Sequence, residues 1–270
     1  MFFKNKVVII TGGSSGIGRA CAQAFAQAGA HVVITGRNEA RLNATASVLR
    51  QTSAQVLPLV ADVSEEEDCR RVVETTLRKW GGVDVLINNA GISMRALFAD
   101  LDLEVLHRLM NTNFWGTVYM TKAALPYLLN SQGSVVGISS IAGYRGLPAR
   151  TGYSASKAAM QGFFESLRTE TLHQGLHVLV ACPGFTTSNI RNVALAADGH
   201  PQGETPRDEQ KMMSAEEVAQ RLVEAVQHRR RDLILTTQGK MTVFMNKWLP
   251  GWMDKMVYKH FAKEADSPLK

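Results

Sequence analysis

At 270 residues, with 45% hydrophobic and 20% charged side chains, the chain can bury a substantial core, and its composition excludes a disordered or fibrous protein. Cys21, Cys69 and Cys182 are too few and too irregularly spaced for a disulfide framework or a zinc site, so no metal is expected, and no apolar run approaches the roughly 18 to 20 residues of a membrane span. The net charge of +6 comes mostly from scattered basic residues; the compact run Arg229-Arg230-Arg231 reads as the cationic end of a helix, and nucleic acid is not an expected partner.

The first six residues lead straight into an apolar run without the pattern of a signal peptide, and a cytoplasmic location is the expectation. From there apolar runs alternate with longer amphipathic stretches. The runs at 7–11, 31–35, 55–61, 83–88, 134–139, 177–181 and 232–235 predict strands. The stretches at 16–28, 39–50, 64–80, 103–113, 114–129, 154–173 and 214–227 predict helices, the last opened by the capping-box spacing Ser214-Ala215-Glu216-Glu217. Such alternation is the signature of βαβ units, hence an α/β fold with a parallel sheet covered on both faces. No linker divides it, so residues 1–270 are expected to form one domain. Two segments break the pattern: the polar 186–213, expected to be a lid over the substrate, and the extension 239–270, where Trp248, Trp252, Met253, Met256 and Phe261 give an amphipathic stretch among lysines. This tail is expected to cover the substrate cleft or a neighbouring subunit, with a membrane surface as the minority outcome.

Three motifs carry chemistry. Gly12, Ser14, Ser15, Gly16, Ile17 and Gly18 follow the first strand and open the first helix, where backbone N–H groups and the helix dipole meet a pyrophosphate and a Cβ would hold it off. Asn88, Asn89, Ala90 and Gly91 end the fourth strand, at the carboxyl edge where open α/β sheets bind ligands; taken alone they are equally a capped strand end. Tyr153 and Lys157 lie one helical turn apart on one face, where an ammonium favours the phenolate of its neighbour.

In this order and spacing, the glycine-rich turn, Asn88-Asn89-Ala90-Gly91, Asn113, Ser139-Ser140, Tyr153-Ser154-Ala155-Ser156-Lys157 and Pro183-Gly184 resemble the short-chain dehydrogenase/reductase family over about residues 4–235. The resemblance implies a Rossmann-like, doubly wound, seven-stranded parallel sheet binding a nicotinamide dinucleotide along its carboxyl edge. It implies Tyr153 as proton donor and acceptor, Lys157 lowering the tyrosine pKa and bonding the nicotinamide ribose, Ser140 rather than Ser139 polarising the carbonyl, and Asn113 holding a water in a proton relay. It further implies Asp62 and Val63 at the adenine and Pro183, Gly184 and Thr186 at the nicotinamide. Ser188 departs from the family's threonine but keeps a hydroxyl. The same resemblance suggests a homodimer or homotetramer paired through the apolar helices 114–129 and 154–173.

Cofactor choice is read from the end of the second strand. Gly36 stands where a carboxylate would select a free 2′-hydroxyl, and Arg37 follows with a guanidinium suited to a 2′-phosphate, so NADP(H) is expected. The tail resembles the C-terminal extensions of the 11β-hydroxysteroid dehydrogenase type 1-like branch, which implies a lipophilic carbonyl or secondary alcohol as substrate. The alternatives are a 3-oxoacyl thioester reductase and, in another class, a non-enzymatic dinucleotide-binding sensor, which would not need Asn113, Ser140, Tyr153 and Lys157 together.

Overall fold

The structure, a computed structural model, describes residues 2–51, 55–186, 190–203, 212–264 and 267–269. Short runs rich in β-branched residues form β1 (Val7–Ile10), β2 (His31–Gly36), β3 (Val56–Val60), β4 (Val85–Asn88), β5 (Ser134–Ile138), β6 (His177–Cys182) and β7 (Asp232–Ile234). They pair in parallel as one seven-stranded sheet in the order β3-β2-β1-β4-β5-β6-β7. This is the doubly wound order expected of a Rossmann-like fold, with its switch point between β1 and β4. Pro58, which lacks a backbone donor, is tolerated because β3 is an edge strand.

Strand alternation divides the core into two layers. Val8 and Ile10 face a layer shared with α1 (Gly16–Gln27), α2 (Glu39–Arg50) and α7 (Ala215–Gln227). Ile9 faces the opposite layer, shared with α3 (Glu66–Trp80), α5 (Gly116–Asn130) and α6 (Thr151–Glu170). Gly137 in β5 makes room on that side for Phe164, whose ring occupies the space a Cβ would need. The three cysteines are buried free thiols, each pushed up to about 12 by burial.

Helix ends follow their local chemistry. Asn38 Oδ1 accepts from Arg41 N (2.9 Å) to start α2, and Ser214 Oγ accepts from Glu217 N (3.0 Å) at the start read from the capping-box spacing. Between residues 103 and 130 the sequence predicts two helices. Instead α4 (Leu103–Leu109) runs through a π-helical turn, Met110–Trp115, directly into α5, and Asn113 sits on that turn. A π turn takes one more residue than an α turn and rotates the side chains after it, a geometry found often at functional sites.

Beyond β7 the chain forms α8 (Thr237–Trp248) and α9 (Pro250–Ala262). Met253, Val257 and Phe261, spaced four apart on α9, bury together against Leu147, Met245 and Leu269. Of the expected lid, residues 187–189 and 204–211 lie outside the described residues. The part between is fastened to the segment after β4: Leu195 N donates to Ser93 O (2.9 Å) and Leu195 O accepts from Arg95 N (2.9 Å). Among the described residues no helix is long and apolar enough to cross a membrane.

Candidate active site

The carboxyl ends of β1 and β4 meet through a network that shapes the glycine-rich turn. Thr11 Oγ1 accepts from Asn89 N and Ala90 N, both at 3.0 Å, and Asn89 Nδ2 donates to Thr11 O (2.8 Å) and Gly12 O (3.2 Å). Gly12 and Gly16 adopt φ of +65° and +51°, the left-handed region that glycine enters without a Cβ clash. Gly18 does not line the cleft. A Cβ there would fall on the Gly12 carbonyl and the Asn89 amide, so its bareness lets α1 close against the turn. Ser15 stands at the N-cap of α1 with no side-chain cap bond, and Ser15, Gly16 and Ile17 border the cleft, a fit for a phosphate on the helix N-terminus. Asn88 is buried instead, donating to Thr121 Oγ1 (3.1 Å).

From this turn a cleft of about 440 Å³ runs along the carboxyl edge of the sheet. One end is lined by Ser14, Gly36, Arg37, Arg41, Asp62 and Val63. Arg37 lies 3.7 Å from Asp62 with its side chain 67% exposed, and Asp62 also accepts from Ser64 N (3.0 Å) and Ser64 Oγ (2.7 Å). At Gly36 a Cβ would come within 3.2 Å of Ser14 Oγ, so any side chain there crowds the turn. Arg41 is a second cation at this end that the sequence reading missed. The asparagine cap of α2 carries the signal, since it directs the first turn of that helix, and Arg41 with it, toward the end of β2.

The other end is lined by Ser140, Tyr153, Lys157, Pro183, Gly184 and Thr186. Helix α6 starts at Thr151 rather than at the predicted Ser154, which puts Tyr153 in its first turn. Ser140 Oγ accepts from Ala142 N (3.1 Å), and its hydroxyl stands close enough to Tyr153 to lower the pKa of the phenol. Ser139 is buried instead, donating to Lys157 O (3.3 Å) and accepting from Gln161 Nε2 (3.0 Å), so of the two serines it is Ser140 that meets the tyrosine.

Burial governs the charge state of both Tyr153 and Lys157. Lost solvation raises the Tyr153 phenol above its ordinary range, outweighing the Ser140 hydroxyl and the Arg150 charge, which both lower it. Burial also pushes Lys157 down to about 8; its Nζ donates to Ile138 O (2.7 Å) and lies 5.8 Å from the centre of the Tyr153 ring. Asn113 is fully buried. Its Oδ1 accepts from Ile92 N (2.8 Å), while Nδ2 donates to Ile92 O (3.0 Å) and to Ser156 Oγ (2.9 Å). A Cβ on Gly91 would meet Asn113 Oδ1 at 3.1 Å and Lys157 Nζ at 3.5 Å, so the bare glycine separates the two groups.

Leu147, Arg150, Phe185, Ile190 and Val193 also line the cleft, so its outer wall beside Tyr153 is largely apolar. Arg150 Nη1 bonds Ser93 Oγ (3.3 Å) and Met94 O (3.2 Å). No described residue of the tail lines the cleft; the tail fastens the wall from behind. Asn246 Nδ2 donates to Tyr144 O (3.0 Å), Arg145 bonds Asn246 Oδ1 (3.2 Å) and Asp254, and Leu147 packs into the α9 cluster.

Known proteins share this sequence pattern and fold. Residues 6–198 match the family model described as short chain dehydrogenase. The chain belongs to the short-chain dehydrogenase/reductase family. It is 36% identical over 272 residues to dehydrogenase/reductase SDR family member 7B of Mus musculus, covering 98% of this chain and 84% of that protein. It is 42% identical over 187 residues to 11-beta-hydroxysteroid dehydrogenase 1A of Arabidopsis thaliana, covering 68% of this chain and 53% of that protein. The crystal structure of a short-chain dehydrogenase/reductase from Burkholderia phymatum in complex with NAD superposes with a TM-score of 0.82 at 25% identity, over 92% of this chain and 94% of that one. This member of the family is therefore an oxidoreductase with a nicotinamide dinucleotide cofactor, and the reading as a non-enzymatic sensor falls away.

Proposed function

We propose that the protein interconverts a lipophilic carbonyl compound and its secondary alcohol with NADP(H), using Tyr153 as the acid and base. The observation that carries this reading is the convergence of Ser140, Tyr153 and Lys157 on one end of the cleft. The bound dinucleotide supplies or accepts the hydride. In the reducing direction Ser140 donates a hydrogen bond to the substrate oxygen, and Tyr153 gives that oxygen its phenolic proton as negative charge develops. Lys157, anchored on Ile138 O, supports the resulting phenolate and bonds the nicotinamide ribose. Both Asn113 Nδ2 hydrogens are committed, so the residue serves a proton relay as an acceptor, through Oδ1 or its backbone carbonyl.

At the adenosine end, Ser14, Ser15, Gly16 and Ile17 receive the phosphates, Asp62 and Val63 the adenine, and Arg37 with Arg41 a 2′-phosphate. Asn89 acts indirectly, by holding the glycine-rich turn, with Ala90 and Gly91 beside the ribose. The lipophilic substrate class is supported by the apolar wall of Leu147, Phe185, Ile190 and Val193. The test is NADPH oxidation against a panel of lipophilic ketones and 3-oxoacyl thioesters with the parent and Tyr153→Phe. The variant is expected to keep cofactor affinity and lose about 100-fold or more in kcat, the usual scale of acid–base catalysis. Near-parent turnover by the variant refutes the proton assignment, and a parent preference for the thioesters refutes the substrate class.

A further inference from the structure

The tail helices leave an apolar face uncovered. On α8, Met241, Phe244 and Trp248 follow the i, i+3, i+7 spacing of one face and are 61%, 63% and 65% exposed. Leu249, at the break before α9, and Trp252 and Met256 on α9 are 49%, 49% and 46% exposed, and Tyr258 is exposed as well. Large apolar side chains grouped in this way mark an interaction surface rather than the scattered exposure ordinary in folded proteins.

The charges around them are of one sign. Lys240, Lys247, Lys255, Lys259 and Lys263 are all exposed. The two acids between residues 237 and 264 are turned back onto the body, Asp254 to Arg145 and Glu264 to Arg95 at 4.0 Å. Helical spacing sets the Lys255, Lys259, Lys263 row beside Trp252 and Met256, on the side away from the buried Met253, Val257 and Phe261. The outward face of α9 thus has an apolar strip edged by cations, with Trp and Tyr rings suited to a headgroup layer.

We propose that this face of α8 and α9 docks on an anionic phospholipid surface. A second copy of the chain is a poorer occupant, because an isologous pairing would bring each lysine row against its own image. An anionic bilayer instead neutralises the lysines while the tryptophans enter the boundary between headgroups and acyl chains. Gly239 at the start of α8 seats against Ile141 and Thr236, and Met241, Phe244 and Trp248 lie on the opposite side of that helix, turned away from the body. The docking inference does not depend on the proposed reaction, since lipid binding is read without turnover.

The experiment mixes the full chain with vesicles of phosphatidylcholine, with or without phosphatidylglycerol, and follows co-sedimentation and tryptophan emission. The parent should bind the phosphatidylglycerol vesicles about tenfold or more tighter than the neutral ones, with a blue-shifted emission. Trp248→Ser/Trp252→Ser and, separately, Lys255→Glu/Lys259→Glu should each weaken binding about tenfold or more while retaining dinucleotide affinity, which reports an intact fold. Absence of binding to the anionic vesicles, or binding of either double variant equal to the parent's, overturns the proposal. So does a solution mass that drops from oligomer to monomer in the tryptophan variant, which would give the face to a second copy.

Discussion

Arg37→Ala should shift cofactor preference toward NADH, and the geometry sets the size of the shift. Opposite unit charges about 4 Å apart are worth about 1 kcal/mol in water and about 4 kcal/mol at an effective dielectric of 20. With its side chain 67% exposed, Arg37 works near the aqueous end of that range. It must also share its charge with Asp62, 3.7 Å away. A net contribution of about 1 to 2 kcal/mol follows, a fall of roughly 5- to 30-fold in the ratio of kcat/KM for NADPH to that for NADH. Arg41 lines the same end of the cleft, so Arg37→Ala/Arg41→Ala should lower the ratio further. The two effects need not add, since both cations would serve one phosphate. Raising ionic strength should compress the parent's preference, because screening acts on exposed charges first. The assay is steady-state kinetics with both cofactors on one carbonyl substrate. A parent that prefers NADH, or a double variant with an unchanged ratio, refutes the assignment of these arginines to a 2′-phosphate.

Arg145→Met removes the guanidinium that ties the cleft wall to Asn246 and Asp254 but keeps the apolar stem. The substrate KM should rise about 3- to 10-fold, the scale of one lost charged contact, with dinucleotide affinity nearly unchanged; an equal loss in both, or in neither, would mean that the tail does not position the wall. His177, bonded to Ser134 Oγ (3.0 Å) and Arg230 O (2.8 Å), has its pKa lowered first by burial and also by the charges of Arg229 and Arg168. Below the unfolded value of about 6.5 the unfolded chain takes up a proton that the folded chain refuses, so stability is lost as pH falls through that window. His177→Asn should flatten this loss relative to the parent, measured as urea midpoints at about pH 7.5 and 5.5; an identical loss in both proteins excludes His177 as its source.

The parts of the site legible in the sequence are those fixed by local geometry. A strand, a glycine turn and a helix N-terminus follow one another in the chain, and Tyr153 and Lys157 need only a helix to share a face, so each carried its own signal. Asn113 was found through its resemblance to the family pattern, but its setting was not: the π turn that orients it leaves no periodic mark, and the stretch 103–129 read as two helices. Arg150 reaches the cleft through tertiary contacts, anchored on Ser93 and Met94, whereas Arg41 sits in the first turn of α2 and lines the cleft because that helix end meets the end of β2. The tail shows the same division. Its amphipathic spacing was plain, but that α9 would seat on Leu147, and so stiffen the wall without lining the cleft, depended on where a distant loop folds back.

The Tyr153 pKa shows best why residue spacing is an incomplete guide to chemistry. A lysine one turn away suggests an ionised phenol, yet burial acts against charge on both partners, raising the tyrosine and lowering the lysine to about 8. The chain's own groups therefore favour a phenol that keeps its proton at neutral pH, the form needed to donate to a carbonyl oxygen. On the proposed chemistry the phenolate left after reduction is the same species that accepts the proton in oxidation, so both directions call for further positive charge near the phenol. Lys157 alone does not provide it in this arrangement, because its Nζ is turned to the Ile138 carbonyl. The Ser140 hydroxyl and the Arg150 guanidinium oppose the burial effect, so the acidity of Tyr153 is set jointly by residues from the segment after β5, the loop before α6 and α6 itself.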